Sequence, residues 1–303
     1  LQELILISSS GTTIDLTELV ININMYESVF SHAMSGNILI ADTNNLAVNL
    51  PIIGQEYLRV KLNTPSLDEQ SIDYSENVFV VYKINNTEAE GLMQVLELQF
   101  TSPEMLKSNR VRVSKSYTNT IDNIAEDLLT NSKYVDSKKD LFIEPTSGIR
   151  RIVVPNLHPY DILRRLATES ISKENTSPHY LFFENNRGLH FRSLQSLYAQ
   201  GVNGKYHAGE KASDEEAIGL TNAGESGALM QSIKRIINFS MGTNNDTLLN
   251  IKSGMLGSTI ISHDIYNKSY DTKTFGYFDN FEDHGRISKN APYNNNPIDE
   301  DLN

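Results

Sequence analysis

Over the first hundred positions apolar residues recur at every second place, the period of strands with one face buried. Glu3–Ile7 opens with a short apolar run, and Gly11-Thr12-Thr13 supplies a turn. Val20-Ile21-Asn22-Ile23-Asn24-Met25 alternates apolar residues with Asn, and Gly36-Asn37-Ile38-Leu39-Ile40-Ala41-Asp42 is a strand ended by the turn-forming run Asp42-Thr43-Asn44-Asn45. In Tyr57–Leu62 the residues Leu58, Val60 and Leu62 share one face, leaving Tyr57, Arg59 and Lys61 to water. Two longer strands, 77–84 and 92–100, flank a polar, Gly-containing connection over 85–91 and read as a hairpin. Leu92, Leu96, Leu98 and Phe100 point one way on the second of them, with Gln94 as the exception. Residues 1–113 therefore read as all-β, a barrel or a sandwich.

The period changes near Ser114. Thr120 stands where it can cap a helix whose Ile121, Ile124, Ala125, Leu128 and Leu129 recur at helical spacing. Pro159 suits the first turn of a second helix, with His158 before it and an apolar stripe of Ile162, Leu163, Leu166 and Ala167. Residues 180–183 and 189–192 read as a hairpin across the turn 184–188, which makes 114–198 a small α+β unit. The stretch 199–228, rich in Gly, Ala, Ser, Asn and charge, reads as a linker or a loop ordered by a partner. In 229–280 Asp246 caps a short helix over 247–253 that Gly254 ends, and 258–266 is a strand with Ile261 and Ile265 on one face. Residues 281–303, rich in Asn, Pro and Asp, read as a disordered or extended tail.

The windows Ser31–Asn45 and Ser253–Asn267 align at an offset of 222. Ser31/Ser253, Ile38/Ile260, Asp42/Asp264 and Asn45/Asn267 are identical. A genuine repeat implies a second β unit starting near residue 229. Too little chain remains to close it, so the natural chain is expected to run on. Leu1 in place of Met likewise leads us to expect a few earlier residues.

Composition narrows the chemistry. The 303 residues carry 26 Lys+Arg against 38 Asp+Glu, a formal charge of -12. That balance argues against a general binder of nucleic acid or anionic membrane. The absence of Cys removes disulfides, thiolate nucleophiles and Cys-ligated zinc, and the absence of Trp removes a Trp platform for sugars. No apolar run reaches the ~20 residues of a membrane-spanning helix. The seven His residues, at 32, 158, 179, 190, 207, 263 and 284, include no i, i+4 pair. His190 is expected to face outward from its strand, His158 to help begin a helix, and His263 and Asp264 to face opposite ways.

Gly224-Glu225-Ser226-Gly227 only loosely resembles a nucleophile elbow, and Gly201-Val202-Asn203-Gly204-Lys205 lacks parts of a phosphate loop. Glu184 with another carboxylate would suit a glycosidase, but a hairpin turn predicts a solvated side chain there. Arg150-Arg151 and Arg164-Arg165 form either solvated faces or salt bridges across a subunit contact. The reading assigns no catalytic, cofactor-binding or metal residue.

Met25-Tyr26-Glu27-Ser28-Val29-Phe30, followed by Ser35-Gly36-Asn37-Ile38-Leu39-Ile40-Ala41-Asp42, resembles the first barrel of the baseplate central hub proteins of contractile-tailed (myovirus-type) bacteriophages. Pro155-Asn156-Leu157-His158-Pro159-Tyr160-Asp161-Ile162-Leu163, with Leu181-Phe182-Phe183-Glu184 and Gly188-Leu189-His190-Phe191, resembles that family's inserted α+β domain. Thr247-Leu248-Leu249-Asn250-Ile251, Gly254-Met255 and His263-Asp264 are similar to the start of its second barrel.

The resemblance implies a mainly β fold: a first tube-like β-barrel over 1–113, an α+β insertion over 114–198 and the start of a second barrel over 229–280. It implies a homotrimer with pseudo-sixfold symmetry in the virion tail baseplate, assembled in the host cytoplasm. Its partners would be the tail tube protein, the central spike protein and baseplate wedge proteins, with DNA passing through the channel unbound and no membrane insertion. The alternatives are a tail-associated polysaccharide- or peptidoglycan-degrading enzyme and a carbohydrate-binding β protein.

Overall fold

A computed structural model describes residues 1–8, 11–42, 54–63, 71–88, 94–174, 177–202, 204–208, 235–236, 238, 240, 246–254, 256–277 and 279. The described chain is mainly β and divides into two compact units, residues 1–193 and 194–303.

The first unit begins with β1 (Glu3–Ile7), β2 (Thr13–Asp15), a 3-10 turn (Thr17–Leu19), β3 (Val20–Tyr26), β4 (Ser35–Asp42), β5 (Tyr57–Leu62), β6 (Ile72–Asp73), β7 (Phe79–Glu88) and β8 (Gln94–Thr101). These strands make one antiparallel sheet in the order β2-β1-β5-β7-β8-β4-β3, with β6 added beside β5. Leu4 and Leu6 near one end of that order share a core with Ile38 and Ile40 near the other, so the sheet curls around its own apolar face. Leu58 and Val60 of β5 and Leu96, Leu98 and Phe100 of β8 fill the middle, as their alternation requires. Gly36 lets β3 and the Phe100 ring approach β4 closely; a Cβ there would collide with both Asn24 O and that ring.

The all-β expectation for 1–113 needs one correction. Pro103–Arg110 is a helix, α1, with Ser102 at its N-cap position, Pro at its start, Glu104 in its first turn and Lys107 and Arg110 in its last. Only Met105 and Leu106 are apolar, and the residues it buries are Glu104 and Ser108. A search for apolar period passes over such a helix.

The unit continues with β9 (Val113–Asn119), α2 (Ile121–Thr130), β10 (Leu141–Ile143), β11 (Arg150–Leu157), α3 (Pro159–Glu169), β12 (Tyr180–Asn185) and β13 (Gly188–Ser193). Both helices bury the stripes their spacing predicts. They pack with Phe182, Leu189 and Phe191 into a second core that also takes Ile152 and Val154 of β11. β9 and β11 form a two-stranded antiparallel ribbon, while β10, β13 and β12 form a three-stranded sheet.

The second unit holds α4 (Leu194–Tyr198), β14 (His207–Ala208), β15 (Arg235–Ile236), α5 (Thr247–Lys252), β16 (Gly257–Asp264) and β17 (Ser269–Gly276). Asp246 caps α5 as its position predicts, accepting from the Leu249 amide at 3.0 Å, and Gly254 at φ 77° follows it. The strand expected over 258–266 stops at Asp264, whose carboxylate accepts from the amides of Tyr266 and Asn267 and turns the chain into β17. Ile265 thus sits in a turn, not on a strand face. The tail 281–303, most of 199–228, the Ser226 motif and His284 lie outside the described residues.

Candidate functional site: a buried Glu-Lys-Glu junction

Neighbouring residues divide between the two cores of the first unit: Ala33 enters the helical one and Met34 the sheet. Beside them Lys139 reaches Glu104 of α1 at 2.8 Å and Glu184 of β12 at 2.5 Å, and all three side chains are less than 10% exposed. Every carboxylate oxygen is occupied. Ser137 donates to Glu104 Oε1, while Ser102 Oγ at 2.6 Å and Lys139 donate to Oε2. Lys139 donates to Glu184 Oε1, and the Met34 amide donates to Oε2 at 3.0 Å. Thr101 Oγ1 and the Ser102 amide donate to the Met34 carbonyl, closing the network on the sheet side.

Two carboxylates therefore share one ammonium, and burial weighs on them unequally. Burial pushes Glu184 above the usual carboxylate range, and Lys139 only partly offsets it. Burial also acts on Glu104, but Lys139 and the Ser102 hydroxyl outweigh it and hold that carboxyl low. The Tyr160 phenol is buried without a hydrogen-bond partner among the described residues, and burial together with Glu184 and Glu104 raises its pKa well above the ordinary value. A small cleft lined by Met34, Tyr74, Asn77, Phe79 and Asn185 opens beside Lys139 and Glu184.

Glu184 thus overturns the expectation of a solvated turn residue. β12 runs one residue past it to Asn185, so it lies on a strand and faces inward. The structure does bring a second carboxylate, Glu104, to the same lysine. All four oxygens are held by neighbours, an arrangement that fixes two cores together and presents no carboxylate to a sugar.

His190 also departs from its outward expectation. It is buried between Phe142 and Phe183, with ring centroids at 4.5 Å and 4.7 Å and nearly parallel planes. Nε2 lies 2.8 Å from Asn185 Oδ1, so the imidazole donates there. Burial, with Arg192 and Arg187 nearby, lowers its pKa to about 4, leaving it neutral near pH 7. On an aromatic strand pair buried on both faces alternation leaves no outward side, so His190 is enclosed.

His158 precedes its helix as expected but serves the helix before it. Its Nδ1 meets the Val111 carbonyl at 2.9 Å and Ser108 O at 3.2 Å, at the C-terminal end of α1. Ser108 Oγ in turn accepts from the Tyr160 amide at the start of α3. Thr120 likewise makes no side-chain cap to α2; Thr146 Oγ1 accepts the Asp122 amide instead.

His263 lies against Tyr270 while Asp264 turns to Asn267, so the two side chains part as their spacing requires. Arg150, Arg151 and Arg164 are exposed, and Arg165 pairs with Glu169 at 3.1 Å. Among the described residues no three His, Asp or Glu converge for a metal ion, and no helix is long and apolar enough to cross a membrane.

No protein-family model matches the chain, and no curated protein does. Among solved structures the chain is similar to the 43 kDa tail protein of prophage MuSo2 from Shewanella oneidensis, at 12% identity and TM-score 0.46, covering 68% of this chain and 57% of that one. It is similar to prophage tail protein gp18 from Listeria monocytogenes EGD-e, at 9% identity and TM-score 0.47, covering 92% and 69%. A third is the E. coli c3393 protein, a component of the type VI secretion system with structural similarity to T4 bacteriophage tail proteins gp27 and gp5. There identity is 14% and TM-score 0.44, covering 67% and 50%. The chain thus spans little more than half the length of the first of these structures.

Proposed function

We propose that this chain is a structural component of a phage tail or a related contractile injection machine, acting as a trimeric hub ring between tail tube and central spike. The observation that carries the reading is the match between the two halves of the internal repeat. Ser35–Asp42 and Gly257–Asp264 are both eight-residue strands at the same offset of 222 that aligned their sequences. Two related β units in one chain are what threefold packing needs to meet a sixfold tube.

The residues that resemble the hub family support the reading by their places in the fold. Met25 to Phe30 lead out of β3, 35–42 is β4, and Pro155 to Leu163 form the turn from β11 into α3. Asn156 at φ 53° marks a bulge there, a conformation Asn tolerates, and Pro159 starts the helix. Residues 1–102 hold 3 Lys+Arg against 13 Asp+Glu, a charge that would keep DNA from adhering to a channel wall.

Native mass across a range of concentrations, with and without the cognate spike protein, tests the reading. A trimer, or a monomer that becomes a 3:3 complex with the spike, is the expected result. A strict monomer indifferent to spike and tube proteins would overturn it.

A further inference from the structure

Charge is partitioned along this chain. The surplus of acid lies in 1–102, whereas 103–198 carries 14 Lys+Arg against 11 Asp+Glu. On the sheet, Arg59 is paired with Glu3 and Lys61 with Asp73, so two of its three cations are already engaged.

The acidic part ends in an open edge. β3 is the last strand of its sheet, and its seven residues have no partner on the far side among the described residues. Ile21 and Tyr26 are more than half exposed along it, and Phe30, just beyond, is 78% exposed. The exposed charges at its two ends, Glu18 and Glu27, are both acidic.

The basic part presents the complement. The β9–β11 ribbon packs Tyr117, Ile152 and Val154 inward and leaves its other face to solvent. That outer face carries Ser116 opposite Val153, which is 70% exposed, and Thr118 opposite Arg151. Arg112 stands at one end of the ribbon, and Arg150 and Ile149 at the other, all exposed. Asp127 is already taken by Lys115 and Tyr117. Both strands have an unpaired edge among the described residues, and at seven and eight residues they match β3 in length.

We propose that the β3 edge of one copy docks on the basic β9–β11 ribbon of the next, making a second copy of this chain the partner of both surfaces. Edge pairing satisfies the open backbone groups, the exposed aliphatic and aromatic residues cover one another, and the Glu and Arg ends fix the register. The two surfaces differ, so the contact is head-to-tail and generates a ring when the rotation closes. The proposal rests on the hub reading, for which it names the interface.

The test uses the full chain and follows self-association by sedimentation. Arg150→Glu/Arg151→Glu and Glu18→Lys/Glu27→Lys are each expected to raise the dissociation constant about tenfold or more, and all four changes together to restore it. Thermal melts check that each variant folds. If a reversal lowers the melting temperature, Val153→Gln replaces it and must weaken association as well.

Self-association unchanged by these variants overturns the interface while leaving the hub reading intact. If the wild-type chain is a monomer that becomes a 3:3 complex with the spike, the same variants are measured in that complex. There, 3:3 assembly unchanged by them overturns the interface while leaving the hub reading intact. A wild-type monomer that ignores the spike overturns both. Binding of an acidic peptide by the ribbon in place of a second copy would also overturn the proposal.

Discussion

His190 shows how far environment can move a side chain from its ordinary behaviour. Held between two aromatic rings, it is neutral in the folded chain, and its pKa is lowered from 6.5 to about 4. A depressed pKa means the folded state disfavours the proton. Its contribution to stability is present above pH 6.5 and is lost as pH falls toward 4. NMR titration is expected to show the His190 imidazole unchanged between pH 8 and pH 5; a midpoint near 6.5 would contradict the sandwich.

Glu184 and Glu104 act with opposite signs. The raised carboxyl of Glu184 contributes stability below its ordinary value of 4.5, and that contribution is lost as pH rises through the higher folded value. The lowered carboxyl of Glu104 contributes above 4.5, lost as pH falls through the lower folded value. In melting temperature against pH, Glu184→Gln is expected to flatten the profile above 4.5, and Glu104→Gln the profile below it.

Among the elements, the β12–β13 hairpin depends most on backbone geometry. Asn185 Oδ1 accepts from the amides of Arg187 and Gly188, and Gly188 sits at φ 145° against the Asp140 carbonyl. A Cβ at that position would overlap the carbonyl, while the Leu189 amide donates to the same oxygen at 2.9 Å. Gly188→Ala is expected to cost about 1–3 kcal/mol in urea unfolding, from left-hand strain and from displacing the segment that carries Lys139. The β16–β17 hairpin is different: nearly all its residues are exposed, and a lone two-stranded hairpin is marginal in water.

The first unit stands as one body because its two cores meet at Lys139. Removing that ammonium leaves two buried carboxylates facing one another. Lys139→Met is expected to lose about 3–5 kcal/mol of stability, with Lys139→Met/Glu184→Gln recovering part of it. Chemical denaturation of the two variants checks this, and equal stability of Lys139→Met and the parent chain would contradict the role. His32 adds a second tie, with Nδ1 at 3.2 Å from the Phe182 carbonyl and its ring stacked on Phe182.

Local pattern was enough for β4, β5, β8, α2, α3 and the Asp246 cap, because each depends on residues within a few positions of one another. The helix Pro103–Arg110 was written in its Ser-Pro-Glu start but hidden by its lack of an apolar stripe. The junction lay beyond any local pattern, since Glu104, Lys139, Glu184 and Met34 are up to 150 positions apart. Alternation and turn propensity report which face of an element is wet on average. Only the meeting of two cores decided that Glu184 would be dry, that it would need Lys139, and that His190 would be closed between two rings.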